Sequence, residues 1–169
     1  MDAPIEAKQE GARAVADSEE FFIGKIAEHR RKLYGIAFSY LHNEADALEA
    51  IQEASCKAWI KRKSLKDDAL FLPWMIRILI NCCMDELRKR KRVIPSDKTG
   101  EDRGAEMISS NRIDLERALA KLNAKHRHVV ILKYYHDMTL TEIARVLNKP
   151  EGTVKTWLHK ALKQMRDLV

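Results

Sequence analysis

Apolar residues recur along most of this chain at steps of three and four, the period of a helix buried on one side. From Phe21 to Leu41 the positions Phe22, Ile26, Leu33, Ile36, Ala37, Tyr40 and Leu41 keep that period, with Asp17 or Ser18 placed to cap the first turn. A second helix is predicted after Asn43, a good N-cap, with Glu44 and Asp46 against the positive end of the dipole. Its expected buried stripe is Leu48, Ile51, Ser55, Ala58 and Trp59. A lysine-rich polar connection, Lys61 to Asp68, leads to a third helix from about Leu70 to Arg92. Pro73 falls near its first turn, where a missing N–H is tolerated. Trp74, Ile78, Leu79, Cys82 and Leu87 form its stripe, with Met75 alongside.

The periodicity lapses from Val93 to about Ser110, where Pro95, Gly100 and Gly104 stand among Ser, Asp, Lys and Glu. That is the composition of a flexible linker. It returns in Ile113, Leu115, Ala118, Leu119 and Leu122, and again in Val129, Val130, Leu132, Lys133 and Tyr134, ending near His136. The last stretch, Thr139 to Arg166, reads as a short helix, a tight turn and a longer helix. Thr139 and Glu142 fit a capping box, and Ile143, Ala144 and Leu147 give the short helix one apolar face. Asn148, Lys149 and Pro150 end it. Val154, Leu158, Ala161, Leu162 and Met165 form the apolar back of the second helix, leaving Thr153, Lys155, Thr156, His159, Lys160, Lys163 and Arg166 outside. An apolar back with a basic, hydroxyl-bearing front is the pattern of a DNA-reading helix-turn-helix. An ordinary helical hairpin with a solvated basic face has the same spacing.

The expected fold is therefore all-α: two small helical domains, residues 18–92 and 111–169, joined by a flexible linker at 93–110 and preceded by a disordered tail at 1–17. Six glycines and four prolines in 169 residues are too few for a turn-rich β fold. The net charge of +6 suits a polyanionic partner without distinguishing nucleic acid from a membrane surface. No run of about eighteen apolar residues could span a bilayer, and no secretory segment opens the chain. The three cysteines, Cys56, Cys82 and Cys83, read as small buried hydrophobes in a reducing cytosol. No CxxC spacing occurs, and His126, His128 and His136 do not pair with cysteines at ligand spacing, so neither metal nor cofactor is expected.

No phosphate loop, nucleophile elbow or acid–base pair is present, and no catalytic residue is assigned. What the residues offer is surfaces. Asp46, Glu49 and Glu53, with Gln52 beside them, form an acidic strip in a basic chain. It is either a solvated face or a docking surface for a basic protein. Arg88 to Arg92 are five consecutive basic residues. A helix C-terminus needs only one or two against its dipole, so contact with phosphates competes with plain solubility or nuclear targeting as the reason for the rest. Trp74 beside these cations suits stacking with unpaired bases as well as it suits a core, whereas Trp59 reads as core packing. Two unlike basic helices on a tether can hold two separated stretches of DNA.

Taken together, Asp46-Ala-Leu-Glu-Ala-Ile-Gln-Glu-Ala-Ser-Cys-Lys-Ala-Trp59, the stretch Phe71 to Arg92, Leu115 to Leu122, Leu140-Thr-Glu-Ile-Ala-Arg-Val-Leu147 and Glu151-Gly-Thr-Val-Lys-Thr-Trp-Leu158 resemble the extracytoplasmic-function (ECF) sigma factors of bacterial RNA polymerase, over roughly Phe21 to the C-terminus. The resemblance implies a non-enzymatic initiation factor that binds core polymerase and directs a stress or envelope regulon. It implies two regions, the first docking on the β′ coiled coil through Asp46, Glu49, Gln52 and Glu53. Lys61, Lys63 and Lys66 of the polar loop, with Trp74, Arg77, Asn81, Asp85, Arg88, Arg90 and Arg92, would face the melted −10 element. Thr153, Lys155, Thr156, His159, Lys160 and Lys163 would face the −35 element, and the back of that domain the β flap. Leu48, Ser55 and Trp157 depart from residues usual in the family. No C-terminal regulatory extension is expected. Control is expected from an anti-sigma factor, with a cytoplasmic location tied to a membrane only through that partner, and with no small-molecule substrate. The competing expectation is a dimeric helix-turn-helix regulator that acts without polymerase, and a third is a helical adaptor with no salt-dependent DNA affinity.

Overall fold

The computed structural model describes residues 18–93 and 110–168. The expected tail and all but the two ends of the expected linker lie outside these residues. Seven α-helices and no strand occur among the described residues. The chain divides into two units, Met1–Leu87 and Arg88–Val169, the division falling within one helix. No helix among the described residues is long and apolar enough to cross a membrane.

Helices α1 (Glu19–Leu41) and α2 (Glu44–Ile60) and most of α3 (Phe71–Val93), up to Leu87, build the first unit. The Phe21 N–H donates to Ser18 Oγ at 3.2 Å, so Ser18 is the cap of α1. His42, at φ 52°, ends that helix by donating its N–H to Phe38 O at 2.9 Å. Asn43 then caps α2, accepting the Asp46 N–H on Oδ1 at 3.0 Å. Two residues thus make the whole connection, and the two helices fold back on one another.

The face α2 buries differs from the expected one. Ala47, Ala50, Ala54 and Ala58 are buried, while Leu48 is 44% exposed and Ile51, Ser55 and Trp59 are half-buried. The stripe Leu48–Ile51–Ser55 is thus displaced by one residue, about 100° around the helix. The physical reason is approach distance: a row of Cβ atoms lets a neighbouring backbone come close, which a leucine at the same place would forbid. Opposite that seam α1 supplies bulk, with Leu33, Ile36 and Ala37 fully buried. Phe22, Trp59, Phe71 and Trp74 form a chain of rings across the three helices, with centroids at 5.4 Å (Phe22–Trp59), 5.8 Å (Phe22–Phe71) and 5.9 Å (Phe71–Trp74). Helix α3 buries Phe71, Met75, Ile76, Ile78, Leu79, Ile80, Cys82 and Cys83, a wider arc than one stripe. Cys82 and Cys83 are buried as expected. Cys56 is exposed, because its position falls on the outer flank of α2.

The second unit contains α4 (Ser110–Lys121), α5 (Ala124–Val130), α6 (Leu140–Leu147) and α7 (Glu151–Leu168). Between α5 and α6, Ile131–Tyr135 continues as a single π turn. Val129, Val130, Ile131 and Leu132 are all buried in succession. Arg127 closes the C-terminal end of α4. Its Nε donates to Leu119 O at 3.1 Å, and its Nη2 donates to Ala120 O at 2.9 Å and Leu122 O at 3.1 Å. Carbonyls at a helix end have no partner within their own helix. Ala118, Leu119, Leu122, Val130, Ala161 and Met165 form a buried cluster, with Leu158 packed on it. Ile113 and Leu115, expected in the stripe of α4, are 38% and 39% exposed, because that core covers only the C-terminal half of the helix.

Ala54→Leu should force α1 and α2 apart and cost about 1–3 kcal/mol, whereas Leu48→Ala should change stability by less than about 0.5 kcal/mol. Urea unfolding of the two variants beside the parent chain checks both; equal costs would contradict the alanine seam.

Candidate nucleic-acid and partner interfaces

Burying the alanine face of α2 turns its carboxylates outward. Asp46 sits half-buried in the first turn, and Glu49, Gln52 and Glu53 are exposed on the same flank. Asp46, Glu49 and Glu53 follow one another at three and four residues and form one strip; Gln52 borders it. Beside the strip runs an open groove between the two helices, lined by Arg30, Arg31 and Tyr34 of α1 and Leu48, Ile51 and Gln52 of α2. That groove is where the displaced Leu48 lies. Glu53 is not a bare charge: Lys57 Nζ lies 3.0 Å from Glu53 Oε1 and 3.9 Å from Asp85 Oδ2 of α3. The hydrogen bond to Glu53, with the charges of Glu53 and Asp85 beside it, favours the charged amine, and the Lys57 pKa is raised despite the opposing effect of burial. Burial pushes the Cys82 thiol up and keeps it protonated, with Lys57 pulling the other way.

The loop between α2 and α3 is a built structure. Arg62–Ser64 and Asp68–Leu70 are 3₁₀ turns, and Leu65 is buried between them. Asp67 Oδ1 accepts the Ala69 N–H at 3.0 Å, and Ser64 Oγ donates to Lys61 O at 2.7 Å. Lys61, Lys63 and Lys66 are left exposed around it. Along α3 the positions Trp74, Arg77, Asn81, Asp85, Arg88 and Arg92 recur at three and four residues and share one face. Arg90 does not; the helical period sets it on the opposite side. Trp74, Arg77 and Asp85 are half-buried, and Asn81, Arg88 and Arg92 exposed. Asp85, expected toward DNA, shares Lys57 with Glu53, so its charge is partly balanced from α2.

In the second unit the capping box is complete. Thr139 N–H donates to Glu142 Oε2 at 2.8 Å, and Glu142 N–H donates to Thr139 Oγ1 at 3.1 Å. Asn148 takes the left-handed conformation at φ 53° and ends α6. Pro150 stands just ahead of α7 and accepts the N–H of Thr153 at 3.0 Å. The Thr141 hydroxyl donates to Glu151 Oε2 at 3.1 Å, which pins the first turns of the two helices together. Val154, Ala161 and Met165 are buried; Lys155, Thr156, His159, Lys160 and Lys163 are exposed and Thr153 is half-buried. The six candidates therefore stand clear of the buried face of α7. The Thr156 hydroxyl donates to Gly152 O at 3.0 Å and keeps its acceptor lone pairs. Trp157 lies on the flank of α7, half-buried, with Lys125 Nζ 5.3 Å from its ring centroid.

In α5 are two histidines that were left unassigned on sequence. His126 is 8% exposed and its Nδ1 is buried without a hydrogen-bond partner. Burial and then Lys125 lower its pKa, with Lys160 acting the same way and a hydrogen bond to Gln164 opposing them. Burial, followed by the Arg127 charge, lowers the His128 pKa to about 4. Lys57 and Arg62 were also missed. Arg62 had a legible signal, its position three residues after Trp59; Lys57 had none, since Asp85 is its neighbour only across two helices.

The family description "Sigma-70 region 2" matches residues 26–93, and "Sigma-70, region 4" matches residues 112–165. The RNA polymerase sigma factor SigV of Bacillus subtilis is 33% identical over 147 residues, covering 83% of this chain and 86% of that one. The ECF RNA polymerase sigma factor SigW of the same organism is 29% identical over 173 residues, covering 89% and 91%. Among solved structures, CnrH in complex with the cytosolic domain of CnrY shares the fold at TM-score 0.65 and 22% identity, covering 93% of this chain and 96% of that one. RpoE from Bartonella quintana, in complex with the anti-sigma factor NepR, does so at TM-score 0.64 and 23% identity, covering 87% and 95%.

Neutral His126 and His128 set a pH dependence for the second unit. Their folded pKa values lie below the ordinary 6.5, so both states are neutral above that value and stability is full there. As pH falls below 6.5 the unfolded chain gains protons the folded chain refuses. His128 alone should remove about 2 kcal/mol by pH 5. Urea unfolding at pH 7 and pH 5 should show that loss, and His128→Gln should abolish most of it; equal losses in both proteins would exclude His128 as the cause.

Proposed function

The chain belongs to the ECF sigma factors of the sigma-70 family, non-enzymatic factors of transcription initiation, and from that membership we propose how its surfaces divide the work. Asp46, Glu49, Gln52 and Glu53 dock the first unit on core RNA polymerase, on the β′ coiled coil. The loop lysines Lys61, Lys63 and Lys66 and the α3 face from Trp74 to Arg92 hold the melted −10 element, through phosphate neutralisation and stacking. Thr153, Lys155, Thr156, His159, Lys160 and Lys163 enter the major groove at the −35 element, while the apolar back of that unit meets the β flap. Arg90, off the shared α3 face, contributes to the strand as a long-range cation. The observation that carries the division is the separation of charge between elements: carboxylates line one flank of α2, and cations line the loop and the α3 face.

An anti-sigma factor is the proposed inhibitor. The support is that RpoE is seen bound to the anti-sigma factor NepR and CnrH to the cytosolic domain of CnrY. A cytoplasmic setting follows for a protein that must reach polymerase and the chromosome, and its regulon is proposed to serve stress or the cell envelope. Residues 18–92 and 111–169 are proposed as the two working domains.

The purified chain should co-elute with bacterial core polymerase and support run-off transcription. Asp46→Lys with Glu49→Lys should lower both by at least about tenfold with unchanged circular dichroism, because like charges then face each other. Lys160→Ala with Lys163→Ala should leave co-elution intact and reduce the salt slope of promoter binding by about two. Unchanged transcription by the charge-reversed chain would exclude the docking assignment, and DNA binding as a dimer without polymerase would favour the one-component regulator.

A further inference from the structure

The Lys57 ammonium lies between carboxylates of two helices. Its Nζ is 3.0 Å from Glu53 Oε1, one turn earlier on α2, and 3.9 Å from Asp85 Oδ2 on α3. All three side chains are close to half exposed, so water reaches the group and its contacts can exchange. Glu53 also belongs to the acidic strip with Asp46 and Glu49. A carboxylate that is to meet a cation of a partner must first give up the cation it already holds. The released ammonium would then stand beside the incoming charge, and like charges at an interface oppose binding. Asp85 offers it another place. A lysine carries its charge on a flexible four-carbon stem, and a shift of about 1 Å takes Nζ to hydrogen-bonding distance of Asp85 Oδ2. Lys57, Glu53 and Asp85 all lie in the first unit, and a side-chain rotation suffices for the exchange. Either carboxylate favours the charged amine, so the exchange moves no proton.

We propose that Lys57 is a positioning residue of the docking surface: it holds Glu53 in the free chain and passes to Asp85 when a cation of core polymerase takes Glu53. This rests on the docking assignment above and adds to it Lys57 and, through Lys57, an acid of another helix. In the free chain the ion pair with Lys57 orders the Glu53 side chain on its flank of α2. In the complex Asp85 holds the displaced ammonium, so that no unpaired like charge faces the incoming cation. Asp85 thereby contributes to the affinity for core polymerase without touching it, a role apart from any it has toward the −10 strand. Since the groups are partly exposed, the contribution is modest and falls as salt rises.

The test measures the affinity of the fluorescently labelled full chain for bacterial core polymerase by anisotropy, at low salt where exposed charges are least screened. Asp85→Asn should weaken binding by roughly twofold to fivefold, the range of an exposed ion pair. Lys57→Met should bind at least as tightly as wild type, and adding Asp85→Asn to Lys57→Met should cost nothing further. A loss at Asp85 that came from the general field of the surface would instead add to the Lys57 substitution. An Asp85 effect that persists beside Lys57→Met therefore overturns the proposal, as does wild-type affinity for Asp85→Asn or weaker binding by Lys57→Met. Should Lys57→Met fail to fold, Glu53→Gln decides. With residue 53 uncharged, Lys57 rests on Asp85 both before and after binding, so Glu53→Gln with and without Asp85→Asn should bind core polymerase equally, and a further loss overturns the exchange. Charge reversal at Asp46 and Glu49 that leaves core affinity unchanged overturns the docking assignment and the proposal with it.

Discussion

The alanine face of α2 is the constraint on which the first unit depends. Four alanines on one face of α2 are buried where that helix pairs with α1, and close packing of that kind leaves little room for a larger side chain. With that face fixed, every longer residue of α2 must point elsewhere. Leu48 and Ile51 go to the groove, the carboxylates to one flank, and Trp59 to the far end beside the loop. The arrangement of the candidate docking surface is thus a consequence of what small residues bury.

Charge is distributed with the same economy. Lys57 stands between Glu53 of α2 and Asp85 of α3. These groups are close to half exposed, so their attraction is screened and modest. Its consequence is local: a carboxylate among the cations of α3 is partly balanced from the neighbouring helix. In the second unit the charged work lies at the surface and the titratable core groups are held neutral. His126 and His128 add no buried charge behind a helix whose front already carries several cations.

The ends of the two helices of the helix-turn-helix were legible in the sequence, because their determinants are local, whereas its short helix buries Val146 with Ile143 and leaves Ala144 and Leu147 half-buried. The capping box at Thr139 and Glu142, the left-handed Asn148 and the proline ahead of α7 each act over four residues or fewer. A side chain that bonds the backbone three residues away does so in any tertiary context. The caps Ser18 and Asn43 were legible for the same reason. The α2 stripe was misplaced because residue size was read as burial, so that Leu48 and Ile51 outweighed the alanines between them. Ile113 and Leu115 have the correct period yet stay exposed, since how far the core of the second unit extends along α4 is a property of the assembled unit.

By itself the sequence determined the helices, their caps, the two separate basic surfaces and the resemblance that placed the chain among the ECF sigma factors. All of these reside in period, local hydrogen bonding and the order of motifs along the chain. Only the tertiary structure decided which face of each helix is buried. It also decided that Lys57 joins α2 to α3 and that Arg127 closes α4. Such contacts depend on the approach of elements distant in sequence, and helical period alone does not specify which elements meet.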